Sequence, residues 1–153
     1  MTVTSAREKA LYYLARFSRT ERQVVDYLSR KGYSAQEITQ TISYLNDRNF
    51  LNDRVFAESF IQAKIRRADG PMKIKFMLVK KGVNPKTIQE LLNTLYPLEL
   101  QQEKVKTLLR GLLRDPPSSV SLKAKEKIFR SVASRGFPLY VIIQSFKDLS
   151  TNK

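Results

Sequence analysis

The amino-acid sequence predicts an all-α protein made of three tandem three-helix repeats forming an elongated, curved array. Three observations carry this expectation. A basic residue followed by glycine recurs as Lys31-Gly32, Lys81-Gly82 and Arg135-Gly136, the glycines standing 50 and then 54 residues apart. Around each glycine the same positions are apolar: Val24, Ile74 and Ile128 eight residues before it, and Leu28, Leu78 and Val132 four before. Ile38, Ile88 and Ile142 follow six residues after it, and Leu45, Leu95 and Leu149 thirteen after. Finally, each glycine is followed directly by an apolar or aromatic residue (Tyr33, Val83, Phe137) and then by Ser, Asn or Pro, the pattern of a helix stop joined to a helix start. A period near 50 residues marks an array of small units rather than one continuous core.

The elements follow in order. In the first unit, residues 1–52, the helical spacing of Ala6, Ala10, Leu11, Leu14 and Phe17 predicts a first helix. Thr20 opens a second, with Val24, Val25 and Leu28 inward and Gly32 ending it in the left-handed conformation. Ser34 and Glu37 form a capping box for the third, whose inner stripe is Ile38, Ile42 and Leu45. The second unit, residues 53–97, starts after the Asn52-Asp53 turn with Val55, Phe56, Phe60 and Ile61. Gly70-Pro71 breaks the chain before Ile74 and Leu78; after Gly82, Asn84 caps and Pro85 takes the first helical position, where its missing N–H is harmless. The third unit, residues 98–153, places Leu100, Val105, Leu108, Leu109, Leu112 and Leu113 on its first helix. The run Asp115-Pro116-Pro117-Ser118-Ser119 reads as a loop that accounts for the longer second spacing. Tyr12, Tyr13, Phe50, Phe56 and Phe60 read as core or inter-unit packing, and packing is also expected of Tyr96 and Tyr140, the two rings that could otherwise stack on bases.

Charge is the second strong fact. The 153 residues hold 28 Lys+Arg against 14 Asp+Glu, a formal +14. Basic residues outnumber acidic ones eight to five in 1–52, nine to four in 53–97 and eleven to five in 98–153, so the excess runs along the whole array. A globular chain this basic fits a polyanion or an acidic protein surface. With neither His nor Cys, the commonest general base and the best nucleophile are missing, and the acids are scattered, often beside bases as in Asp47-Arg48 and Asp53-Arg54. Gly70-Pro71-Met72-Lys73 lacks the spaced glycines of a phosphate loop. The expectation is therefore a protein that is not an enzyme and uses no cofactor and no metal. No apolar run approaches the roughly 18 residues of a membrane span, and Met1 to Lys9 lacks a signal core; a soluble, cytoplasmic monomer is expected.

The candidate binding residues form a basic face. Lys64, Arg66 and Arg67 precede the Gly70 turn, Lys73, Lys80 and Lys81 follow on the next helix, and Lys123, Lys127 and Arg130 share one side of a helix in the third unit. Lys31, Lys81 and Arg135 also sit at helix C-termini, where a cation offsets the macrodipole by roughly 0.3–1 kcal/mol; that structural role ranks them below the rest.

Three stretches resemble the RecX family: Leu28-Ser-Arg-Lys-Gly-Tyr33 through Ile38; Leu45-Asn-Asp-Arg-Asn-Phe-Leu-Asn-Asp-Arg-Val-Phe-Ala57; and Gly70-Pro-Met-Lys-Ile74 leading to Leu78 and Lys81-Gly82. Asn52 stands where the family more often has an acid, and the third unit is the loosest match. The resemblance implies tandem three-helix units that bind the RecA filament on single- or double-stranded DNA and inhibit its recombinase, ATPase and co-protease activities, in homologous recombination, DNA repair and the SOS response.

The residues also allow a plain, sequence-nonspecific DNA-binding module. Helix–turn–helix joints such as Leu28 to Ile42 can present a helix to a major groove, yet the side chains offered there are Ser34, Gln36, Thr39 and Gln40, with no arginine, the commonest base reader. A scaffold for an acidic protein partner is the third possibility.

Overall fold

A computed structural model describes residues 3–151, so the outer limits of the first and third units, residues 1 and 153, lie outside the described residues. Among those described there are nine α-helices and no strand. The first group is α1 (Ala6–Arg16), α2 (Glu21–Arg30) and α3 (Ala35–Asp47). The second is α4 (Asp53–Arg66), α5 (Pro71–Lys80) and α6 (Pro85–Leu95), and the third α7 (Leu98–Leu112), α8 (Leu122–Ala133) and α9 (Leu139–Thr151). In each group the first and third helices pack on one another and the second bridges both.

Local chemistry explains the boundaries. Reciprocal capping boxes start α1 (Ser5 with Glu8), α2 (Thr20 with Gln23) and α3 (Ser34 with Glu37). Asn84 caps α6, and Pro71 and Pro85 occupy first-turn positions. The three glycines end α2, α5 and α8 at φ of 90°, 90° and 97°. After the first two, the next residue's N–H returns to a helix carbonyl, Tyr33 to Leu28 (3.2 Å) and Val83 to Leu78 (3.1 Å). Leu28 and Leu78, four residues before those glycines, are fully buried. Removing a side chain so placed costs about 2–5 kcal/mol.

Two apolar cores result. One lies inside the first group and centres on Val24, Leu28 and Leu45; the other is continuous through the second and third, from Ile61 and Leu78 to Val105 and Ile142. The units are joined by their second helices. Thr20, the buried N-cap of α2, donates its hydroxyl to the Lys81 carbonyl (2.6 Å), and the Arg22 side chain lies over Gly82. Asp53 at the head of α4 accepts the Glu21 N–H at 2.9 Å. At the next junction Gly70, the N-cap of α5, donates to the Arg135 carbonyl (2.7 Å) and Met72 N–H to that of Gly136 (3.0 Å), while Lys73 covers Gly136. Beneath this contact Tyr96 is buried with its hydroxyl donated to the Asp69 carbonyl at 2.8 Å. Burial first, and the nearby charge of Asp69 second, push that hydroxyl well above the usual tyrosine range, so it keeps its proton. In the same turn Ala68 sits at φ 58°, a conformation normally left to glycine.

Several expectations are corrected. Phe17 lies just past α1 and is exposed, because Arg16 already ends the helix. Tyr12 and Phe50 point to solvent rather than into a core, and so does Tyr140; Tyr96 is packed as expected. Leu113 follows α7 instead of belonging to it. The longer spacing to Gly136 is not the loop alone. The segment 113–121 carries a single 3-10 turn (Pro117–Ser119), and α8 begins one turn further from its glycine than α2 and α5 do.

Candidate polyanion interface

Each expected basic residue is set by a helix end or a helix face. α4 finishes on Lys64 and Arg66 with Arg67 as its C-cap, and cations at that end complement the carbonyl-rich terminus. Lys64 is half-buried with its ammonium 5.3 Å from the centre of the Phe60 ring; the Lys81 ammonium, from the end of α5, lies 5.7 Å from the same ring. One aromatic ring therefore gathers two cations from two helices, an arrangement that holds both side chains without neutralising them. Lys80 lies 5.5 Å from the Phe76 ring on the exposed side of α5. Arg66 is exposed, and so is Arg67, whose carbonyl accepts the Arg135 guanidinium at 3.2 Å.

Lys123, Lys127 and Arg130 all stand exposed on α8, opposite the buried Val132. Lys127 is on the rim of a groove of ≈ 720 Å³ between the end of α7, the 113–121 segment and α8.

Among the described residues, eight of the nine have no carboxylate within 4 Å. The exception is Lys73, 3.1 Å from the nearly buried Asp69 carboxylate and packed on Gly136. Lys73 is built into the junction between the second and third units. Lys64 and Lys81 are brought together, Arg66 and Arg67 stand beside that junction, and the three α8 residues form a separate face. Exposed cations free of internal partners keep their full charge for an external anion, and each phosphate neutralised releases condensed counterions.

Of the residues that join the units, Arg22 and Asp69 were not singled out from the sequence, and Thr20 and Tyr96 were read only as a helix start and a packed ring. Their signal was available in part: Thr20 and Gly70 stand at equal distance before their glycines, so the repeat alignment marks one joint twice. Among the described residues, no group of three His, Cys, Asp or Glu is placed to hold a metal ion, and no helix is long and apolar enough to cross a membrane.

Residues 6–45 match the family model for the first three-helix domain of RecX, and residues 52–92 that for the second. Regulatory protein RecX of Clostridium botulinum (strain Alaska E43 / Type E3) is 31% identical over 153 residues, covering 95% of this chain and 69% of that protein. Regulatory protein RecX of Halalkalibacterium halodurans is 35% identical over 141 residues, covering 92% of this chain; the alignment spans only 53% of that longer relative. The crystal structure of RecX from Lactobacillus salivarius superposes with a TM-score of 0.86 at 30% identity, covering 94% of both chains. Tandem three-helix units linked through their second helices, matched by both domain models and by a solved structure of the same architecture, show that this chain belongs to the RecX family of regulatory proteins.

Proposed function

We propose that this chain binds the RecA filament on DNA and restrains its ATPase, strand-exchange and co-protease activities. It acts as a cytoplasmic monomer, by contact and without catalysis of its own. The observation that carries this reading is the set of exposed or half-exposed cations that, among the described residues, have no carboxylate partner: Lys64, Arg66, Arg67, Lys80 and Lys81 in the second unit, and Lys123, Lys127 and Arg130 in the third. Charges distributed over two units suit a long, repeating anionic object better than a small ligand. Lys73 contributes by holding the two units in register, through Asp69 and Gly136, and not by free charge.

The test is RecA's single-strand-dependent ATP hydrolysis after substoichiometric protein is added to preformed filaments. Strong inhibition well below one copy per RecA is expected. The variant Lys64→Glu, Arg66→Glu, Arg67→Glu leaves Lys73 and the junction intact, and it should lose the inhibition while keeping its helical content, with a lowered melting temperature from the reversed charges at the α4 C-terminus. An unchanged effect would remove these residues from the mechanism. Salt-sensitive, sequence-indifferent DNA binding with no effect on RecA would replace the filament reading by that of a DNA-binding helical-repeat module.

A further inference from the structure

The repeat offers an internal control for surface side chains: a position exposed in all three units owes its residue type to something other than the fold. On α5, Met72, Phe76 and Val79 form an i, i+4, i+7 stripe and are 59%, 64% and 40% exposed. Counted from the glycines, the matching residues are Arg22, Asp26 and Ser29 on α2 and Glu126, Arg130 and Ala133 on α8, every one of them exposed. Only the middle unit is apolar at all three positions. The pattern repeats at the start of α9, where Tyr140 (65% exposed) and Ile143 occupy the positions of Gln36 and Thr39 on α3 and of Lys86 and Gln89 on α6.

The two apolar stripes meet. Met72 and Tyr140 line one groove of ≈ 300 Å³ together with Pro71 and Pro138, across a polar floor that includes Gln89, Asn93 and Gln101. Phe76 continues the surface into a second groove of ≈ 450 Å³ against α2. Its border is basic: Lys75, Lys80, Lys81 and Arg22 against the single acid Asp26, and among the described residues none of these four bases has a carboxylate within 4 Å. A contiguous exposed apolar surface on a soluble domain marks a binding site, and one rich in methionine and aromatics with a charged rim has the makeup of a protein interface.

We propose that the α5–α9 face is a docking surface for an acidic amphipathic segment of a protein partner. Apolar side chains of the segment seat on Met72, Phe76, Val79 and Tyr140, and its carboxylates meet Arg22, Lys75 and Lys80. The aliphatic content decides against single-stranded nucleic acid as the occupant: bases stack on rings, and Met72, Val79 and Ile143 offer none. This inference goes beyond the filament reading, because it does not require that the partner be RecA.

The test replaces the stripe by what α2 carries at the same positions, Met72→Arg, Phe76→Asp and Val79→Ser. That change leaves net charge unaltered and has a folded precedent in the first unit. The probe is a fluorescent peptide that forms an amphipathic helix with Leu and Phe on one face and Glu on the other, read by anisotropy beside oligothymidine. Wild-type protein should bind the peptide, and Glu→Lys exchange in the peptide should abolish binding. The triple variant should weaken peptide binding by about tenfold or more with oligothymidine binding unchanged. Tyr140→Gln, a single change at the other end of the surface, should weaken it in the same direction and serves if the triple variant does not fold. No peptide binding by the wild type, equal binding by the variants, or loss of oligothymidine binding in place of peptide binding would each overturn the proposal.

Discussion

Gly32, Gly82 and Gly136 share a sequence signature, a helix-ending role and nearly the same backbone angle, yet their surroundings differ. A Cβ built on Gly32 meets nothing within 4 Å. One on Gly82 comes within 2.5 Å of the Arg22 Cβ, which the backbone fixes, and of its more mobile Cδ; one on Gly136 comes within 2.5 Å of both the Cβ and the backbone nitrogen of Lys73. Exposure follows the same order, with Lys31-Gly32 exposed and the other two joints half-buried. The local stop signal is thus one thing and its tertiary use another. At Gly32 glycine is needed only for its left-handed angle; at the other two joints it also lets the preceding unit approach.

Gly136→Ala should do the most damage. A methyl there must displace backbone, which a flexible neighbour cannot absorb, and it adds the left-handed strain of about 1–2 kcal/mol. We expect a loss of about 3 kcal/mol or more, with separation of the shared core of the second and third units, measured by urea denaturation. Gly70→Ala, which meets the backbone of Gly136 and Phe137 from the opposite side at an ordinary φ of −83°, should match it without the strain. If Gly70→Ala were harmless, the close approach would not be what the glycines provide.

Gly82→Ala comes next, at about 2 kcal/mol: the Arg22 Cδ can swing away, but its Cβ yields only if α2 shifts slightly, and the left-handed angle adds its own strain. Combining it with Arg22→Ala should return part of the loss, a double-mutant cycle that reads the junction directly. Tyr96→Phe tests the other junction more gently. It removes one hydrogen bond and leaves the Asp69 carbonyl without its tyrosine donor, for about 1 kcal/mol.

How much of this was legible follows from the range of the forces involved. Capping residues such as Ser34 and Asn84 act within three positions, so α3 and α6 could be read residue by residue. Leu28 and Leu78 recur because the same core position recurs. The junction contacts were not legible in that way, because Thr20 meets Lys81 across 61 residues and Arg135 meets Arg67 across 68. At the candidate site, i, i+4, i+7 spacing puts Lys123, Lys127 and Arg130 on one side of α8, where all three are exposed. It could not reveal that Lys73 is taken by Asp69, or that Lys64 and Lys81 share the Phe60 ring. Nor does composition tell an exposed ring from a buried one, as Tyr140 and Tyr96 show.

The smallest effect should be that of Gly32→Ala, and it isolates what the other two substitutions mix. With open space around the new methyl, the folded state bears only the cost of φ at 90°, about 1–2 kcal/mol. Alanine also restricts the unfolded chain and so returns about 0.4–1 kcal/mol. The net loss should be near 1 kcal/mol, and Gly32→Asn, which tolerates the left-handed region better, should lose less still. Subtracting the Gly32 value from those of Gly82 and Gly136 leaves the packing contribution of each junction. A Gly32→Ala loss as large as that of Gly136→Ala would mean that the angle, rather than the approach of neighbouring units, governs all three joints.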